Sequence, residues 1–218
     1  MQRHFRRNRN RQKEIIPVTV CVTAMCNGNT IIGASDRMLT AGDIQFEPQQ
    51  TKIFPLTTSI AVMLAGDSSM QAEVLQCVQS DVNKRIDTEP QKWWNVSDIA
   101  ELYSQHYNKV RFKKAERAIL APLGLDGDTF IARQREMEPS LVRQITEELI
   151  NFDTPFTSTI FAGIDSGGPH IYVANCSNIT CQDNVGFASI GVGVWHASSQ
   201  LMFSGHTRLK PFPETLLT

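Results

Sequence analysis

The sequence predicts an α+β fold in which antiparallel sheets carry helices on their outer faces. Hydrophobic residues occupy 41% of the 218 positions and charged residues 20%, which provides enough apolar surface for one sizeable core. Segments rich in β-branched residues lie near both ends of the chain, and amphipathic segments with helical spacing lie between them. The strand segments are joined by short turns, which favour antiparallel pairing.

Seven strands are predicted from apolar and β-branched runs that turn residues bound on each side. They cover residues 18–25, 30–36, 51–55, 59–64, 159–164, 170–174 and 187–190. The turn at Asn27-Gly28 is the strongest hairpin signal, because both residues tolerate positive φ. Residues 175–184, which precede the last strand, predict a loop.

Four helices are predicted from apolar residues spaced three and four apart. Ser68 or Ser69 is the expected N-cap of the first helix, and Ser97 that of the second. Their apolar stripes are Met70, Val74, Cys77, Val78 and Val82 in the first helix, and Ile99, Leu102, Tyr103, His106 and Val110 in the second. The third helix begins at Pro139-Ser140 and the fourth covers residues 195–203, whereas residues 118–138 predict a loop. Residues 211–218 predict a loop and the first turn of another helix.

Residues 1–18 are interpreted separately from the rest of the chain. Residues 1–13 carry six basic side chains and no acidic one, with no helical or strand period. One interpretation is a disordered basic head. The other is a misassigned translation start, because codons for Lys13-Glu14 can form a ribosome-binding sequence and a GTG codon for Val18 can initiate translation. Removal of the initiating methionine would then leave Thr19 as the first residue.

Charge and composition argue against several classes of function. Lys and Arg total 21 and Asp and Glu 22, a net charge of -1, so the whole chain has no electrostatic attraction for nucleic acid. No apolar run reaches the roughly 20 residues that span a bilayer. Five cysteines, an odd number, favour a reducing compartment, and we expect a cytoplasmic protein. The histidines lack metal-binding spacing and Cys176 and Cys181 have no second cysteine pair, so neither a metal nor another cofactor is expected.

Four segments resemble the sequence pattern of proteasome β-subunits. They are residues 33–40 (GASDRMLT), 51–53 (TKI), 61–66 (AVMLAG) and 187–193 (FASIGVG). Within that family, the segments resemble those of bacterial β-subunit homologues of the 20S proteasome. The resemblance covers about residues 19–110 and 157–218, and residues 112–155 are interpreted as a helical insertion in one domain, 19–218.

The resemblance implies the fold of N-terminal-nucleophile hydrolases, a four-layer αββα sandwich of antiparallel sheets. It further implies that the chain ends before the last helix and the closing strands of that fold. It assigns Thr19 as the nucleophile, Asp36 and Lys52 as a charged pair that keeps the site positive, and the Gly66 N–H as oxyanion donor. A threonine hydroxyl is a weak nucleophile and needs an adjacent base, which the α-amine of an N-terminal threonine can supply. The family's spacing, counted back from Asp36, reaches Val20, and Thr19 fits with one extra residue in the first turn.

The resemblance also implies a substrate pocket and an assembly. By position, the pocket falls on Leu39, Thr40, Gln50, Phe54, Leu64 and Ser68, an uncharged set that favours an apolar side chain before the scissile bond. The expected function is a threonine-type peptidase for peptides or unfolded proteins, acting inside a homo-oligomeric ring that an ATPase could regulate, with the first two helices as candidate interfaces. Val192 stands where the family has a supporting serine. The alternatives are a catalytically inactive structural subunit of such an assembly and an amidase of the same fold.

Overall fold

The computed structural model describes residues 19–37, 39–41, 44–46 and 52–218. The basic head, 1–18, and the predicted pocket residue Gln50 lie outside the described residues. The strands are β1 (Val20–Cys26), β2 (Thr30–Ser35), β3 (Leu39–Ala41), β4 (Ile44–Phe46), β5 (Ile53–Pro55), β6 (Ile60–Gly66), β7 (Thr157–Asp165), β8 (Gly168–Asn175), β9 (Asn178–Cys181) and β10 (Phe187–Gly191). The α-helices are α1 (Ser68–Thr88), α2 (Val96–Ala115), α3 (Gly127–Arg133), α4 (Pro139–Ile150), α5 (Val194–Phe203) and α6 (Phe212–Leu217).

Two antiparallel sheets organise the described residues, so the α+β class predicted from the sequence is confirmed. One has three strands in the order β10-β1-β2, and the other has five in the order β5-β6-β7-β8-β9. The first contains the predicted Asn27-Gly28 hairpin, in which Ala24 pairs with Ile32 and both turn residues have positive φ. Strands β3 and β4 form a separate two-stranded hairpin that the sequence did not predict.

The two sheets pack face to face around one apolar core. Its buried side chains come from β1, β6, β7, β8 and β10, namely Cys21, Met25, Met63, Ala65, Ile160, Ala162, Ile171, Val173, Ala188 and Ile190. Successive residues of a strand point to opposite faces, so the neighbouring positions Val62 and Phe161 lie on the other face of the five-stranded sheet. There they pack against the apolar stripes of α1 and α2.

Helix α5 covers the outer face of the three-stranded sheet. Its Leu201 packs with Ala24 of β1 and Phe187 of β10. The layers therefore follow the order helices, five-stranded sheet, three-stranded sheet, helix. Within the described ranges, no helix is long and apolar enough to cross a membrane.

Both predicted N-caps are wrong by one or two residues. Helix α1 is capped by Asp67, whose side chain accepts a hydrogen bond from the Met70 N–H at 2.7 Å. Helix α2 begins at Val96, so Asn95 rather than Ser97 occupies its cap position. The predicted stripes are nevertheless buried, apart from Cys77 and Leu102, which are half-buried.

Residues 118–138, predicted as a loop, are mostly helical. A π-helical turn (Glu116–Leu120) and a 3-10 turn (Ala121–Leu123) continue α2, and α3 follows. The side chain of Asp126 caps α3 by accepting from the Thr129 N–H. Buried contacts among Leu120, Phe130 and Ile145 of α4 form a small separate core, which stabilises these short turns.

The predicted loop 175–184 contains a strand. Strand β9 pairs with β8, with Ala174 opposite Ile179 and Val173 opposite Thr180. Its four residues show too short an alternation to be recognised from the sequence. The free edge of β8 provides the hydrogen-bonding partner that makes this segment a strand.

Candidate active site

Thr19 lies directly before β1, the central strand of the three-stranded sheet, and is only 4% exposed. The backbone at the end of β10 approaches it closely. Gly191 has a φ of +95°, and a Cβ at this position would lie 2.0 Å from the Thr19 carbonyl oxygen. Only glycine can therefore occupy position 191 without displacing Thr19.

Lys52 joins Thr19 to Asp36. Its Nζ donates a hydrogen bond to Thr19 Oγ1 at 2.8 Å and another to Asp36 Oδ1 at 2.5 Å. Asp36 follows β2, where its N–H donates to the Val20 carbonyl at 3.0 Å, and Lys52 precedes β5, where its carbonyl accepts from the Leu64 N–H at 3.3 Å. Backbone hydrogen bonds to β1 and β6 thus hold both charged residues beside Thr19.

The Lys52–Asp36 pair balances the charge of this site. Lys52 is 7% exposed, whereas 31% of the Asp36 side chain is exposed. A buried ammonium needs a partner because its desolvation costs several kcal/mol. Asp36 meets that need, and an ammonium in this position favours the charged form of any anion that forms beside it.

Cys21 is a second potential nucleophile near the pair, and the sequence analysis did not single it out. Burial, partly offset by the positive charge of Lys52 and reinforced by the charge of Asp36, raises the pKa of the Cys21 thiol to about 11. The thiol donates to the Leu64 carbonyl at 3.5 Å. Because the thiolate is the reactive form, this environment disfavours Cys21 as a nucleophile at neutral pH. Thr19 is the better candidate because Lys52 donates to its Oγ1, whereas the Cys21 thiol is engaged with a backbone carbonyl.

Gly66 ends β6 in a conformation that requires glycine. Its φ is +106°, and a Cβ there would lie 2.3 Å from the Phe156 carbonyl oxygen. The buried Gln71 of α1 stabilises this strand end. Its Nε2 donates hydrogen bonds to the Ala65 carbonyl at 2.9 Å and to the Ser158 carbonyl at 3.1 Å. Gln71 was missed at the sequence level, although a glutamine directly after Met70 on the apolar side of a helix is the signal that could have revealed it.

A cavity of about 600 Å³, here called the acyl cavity, opens beside Thr19. Three of the six predicted pocket residues, Phe54, Leu64 and Ser68, line it together with Thr19, Lys52 and Gly66. The remaining wall comes from Arg37, Leu56, Ala65, Gln71, Ala72, Leu75, Gln76 and Gln79. The side chains of the other three predicted residues, Leu39, Thr40 and Gln50, lie outside the described residues. The described wall combines apolar side chains with the cations Lys52 and Arg37 and contains no acidic side chain.

Among the residues that the structure describes, no group of three or more His, Cys, Asp or Glu side chains is arranged to hold a metal ion. No model of a known protein family matches the chain, and no curated protein matches it either. A functional assignment therefore rests on the geometry around Thr19 and on the resemblance of the four short segments.

Proposed function

We propose that the protein is a threonine-type peptidase of the N-terminal-nucleophile class, similar to proteasome β-subunits, in which Thr19 acts once it is the first residue. One observation carries the proposal: the Lys52 ammonium donates to both Thr19 Oγ1 and Asp36 Oδ1. Further support comes from the layer order helices, sheet, sheet, helix, which agrees with the four-layer αββα sandwich of that class.

The proposed chemistry is acyl transfer through Thr19. The α-amine of the processed chain takes the Oγ1 proton, and the oxygen attacks the scissile carbonyl carbon. Lys52 stabilises the developing negative charge on Oγ1, and the Gly66 N–H donates to the oxyanion. Collapse of the intermediate breaks the C–N bond, and the amine leaves with the proton. Water then hydrolyses the Thr19 ester and restores the hydroxyl.

The acyl cavity favours substrates with a large apolar side chain before the scissile bond. Phe54 and Leu64 border open space in the cavity and are not fully buried, which supports a pocket role over a purely core role. Burying a Leu or Tyr side chain there is worth about 1–3 kcal/mol. We therefore expect Leu or Tyr to be preferred over Arg or Glu by about 10–200-fold in kcat/KM.

We further propose that the protein works in the cytoplasm as a homo-oligomeric ring acting on unfolded protein, where an ATPase could deliver the substrate. The apolar stripes of α1 and α2 are buried in the core, so contacts between subunits through these helices would involve their outer faces. Helix α5 exposes Trp195, Met202 and Phe203, which are 80%, 68% and 90% exposed, and such a surface is typical of a protein contact. Size-exclusion chromatography with light scattering at micromolar concentration tests this, and a monomer contradicts it.

The decisive experiment compares the full chain with a chain that begins at Thr19. Intact mass and N-terminal sequencing establish the first residue, and a fluorogenic peptide with Leu before the scissile bond measures activity. We expect activity only when Thr19 is the first residue, its loss in Thr19→Ala, and partial retention in Thr19→Ser. No turnover of any peptide by the Thr19-initiated chain would favour an inactive structural subunit, and turnover of small amides alone would favour an amidase.

A further inference from the structure

A second cavity, of about 390 Å³, also borders Gly66 and is here called the leaving-group cavity. It shares Ala65 and Gly66 with the acyl cavity, whereas Thr19 and Lys52 line only the acyl cavity. Gly191, whose backbone packs against Thr19, forms part of its wall. The two cavities therefore meet at the proposed reaction centre.

The position of the second cavity defines what it can hold, provided the proposed function is correct. The scissile carbon must lie between Thr19 Oγ1 and the Gly66 N–H. When the acyl side chain of a substrate fills the acyl cavity, the amine portion of the substrate extends past Gly66 into the leaving-group cavity. We propose that the leaving-group cavity binds the residue that follows the scissile bond and selects an uncharged side chain, glutamine best of all.

The lining explains the exclusion of charge. Apolar groups form most of the wall, and the described lining contains no ionisable side chain. Val173 and Ile190 of this lining belong to the core between the two sheets and are 7% and 3% exposed. Burying a charged side chain against these groups without a partner is costly. We expect Glu and Lys at this substrate position to be disfavoured by at least about tenfold.

The polar groups of the lining explain the preference for glutamine. Ser189 is satisfied, because its hydroxyl donates to the Val194 carbonyl at 3.1 Å and contacts Ser198 Oγ at 2.6 Å. Asn175 accepts at Oδ1 from Ser158 Oγ at 2.7 Å, which leaves its Nδ2 as the donor that can face a ligand. A glutamine side chain supplies an apolar stem for the wall and a carbonyl acceptor for Asn175. One such hydrogen bond should give a roughly two- to tenfold advantage in kcat/KM.

The test uses internally quenched peptides that all carry Leu before the scissile bond and differ only in the next residue: Gln, Leu, Glu or Lys. Protein expressed from the full sequence and protein beginning at Thr19 are both assayed. We expect Gln to be cleaved fastest, Leu two- to tenfold slower, and Glu and Lys at least tenfold slower. Asn175→Ala should lower the Gln-to-Leu ratio of kcat/KM at least twofold, because the donor for the glutamine carbonyl is then lost.

A charge introduced at the rim gives a sharper test. Val192 lines the cavity and is 46% exposed, so Val192→Lys should fold and should raise the Glu-to-Gln ratio of kcat/KM at least fivefold. Val185 is 48% exposed and outside the lining, so Val185→Lys is the matched control and should leave that ratio unchanged. Equal cleavage of all four peptides, or the same ratio in both lysine variants, overturns this inference but leaves the proposed peptidase intact. Failure of the Thr19-initiated chain to cleave any of the peptides overturns both.

Discussion

Replacing Lys52 by alanine removes the group that joins Thr19 to Asp36, and we expect this to abolish activity at a moderate cost in stability. The ammonium donates to Thr19 Oγ1 at 2.8 Å and to Asp36 Oδ1 at 2.5 Å, so both interactions are lost together. Groups that transfer protons or stabilise charge in a transition state contribute about 10²–10⁴ in rate. We expect kcat/KM of Lys52→Ala to fall by at least about 10³-fold.

The stability cost follows from the exposure of the partner left behind. Removing one member of a fully buried ion pair costs about 3–5 kcal/mol. Since 31% of the Asp36 side chain is exposed, water can solvate part of the orphaned carboxylate, and we expect about 1–3 kcal/mol in the free energy of unfolding. The double variant Lys52→Ala/Asp36→Asn should recover most of that stability and none of the activity.

The assay pairs fluorogenic peptide turnover with urea unfolding, both on the chain that begins at Thr19. Lys84→Ala is the matched control, because Lys84 forms an exposed ion pair with Asp81 at 3.3 Å, with side chains 73% and 40% exposed. Such a pair is worth at most about 1 kcal/mol, and its loss should not change turnover. A folded Lys52→Ala protein that keeps more than about a tenth of wild-type turnover would refute the assigned role of Lys52.

Three further predictions concern the strand end at Gly66, the acyl cavity and a buried histidine. Gly66→Ala should lower the free energy of unfolding by about 1–3 kcal/mol, because a Cβ would lie 2.3 Å from the Phe156 carbonyl oxygen at a φ of +106°; unchanged urea unfolding would contradict this. Leu64→Glu should lower the Leu-to-Arg ratio of kcat/KM at least tenfold, and an unaltered ratio would show that Leu64 does not contact the substrate. Burial lowers the pKa of His206 from its ordinary value of 6.5, so below about pH 6.5 the unfolded chain binds more protons and the histidine contributes a loss of stability as the pH falls. His206→Phe should remove that contribution. The free energy of unfolding of this variant minus that of wild type, measured between pH 7 and 5, should therefore increase as the pH falls. A difference that stays constant would be evidence against a neutral buried histidine.

Helix α1 shows which features the local sequence can predict and which it cannot. Its buried residues include Met70, Val74, Val78 and Val82, all within the predicted stripe, because helical spacing alone decides which positions share a face. Its first residue was less predictable, since Asp67 and Ser68 are both good N-caps and nothing in the local sequence chooses between them. The Asp67 N–H donates to the Phe156 carbonyl at 3.1 Å, and this tertiary contact holds Asp67 in the cap position.

The candidate site shows the same division between local and long-range information. The resemblance to proteasome β-subunits selected Asp36, Lys52 and Gly66 through short segments and their spacing. It could not select Gln71, which acts through backbone carbonyls of two different strands, Ala65 on β6 and Ser158 on β7. Nor could it show that the pKa of the Cys21 thiol is raised, because burial is the main cause and depends on the packing of the two sheets.

Local sequence patterns were sufficient to predict the α+β class, most of the strands, the buried stripes of the first two helices and the placement of Asp36 and Gly66 at strand ends. These features depend on side-chain periods and turn residues, which act over a few neighbouring positions. The contact of Lys52 Nζ with Thr19 Oγ1, between residues 33 positions apart, follows instead from the packing of the two sheets. The same packing creates the two cavities that share Gly66. Both features arise where strand ends from two sheets meet, and no local pattern specifies how those sheets pack.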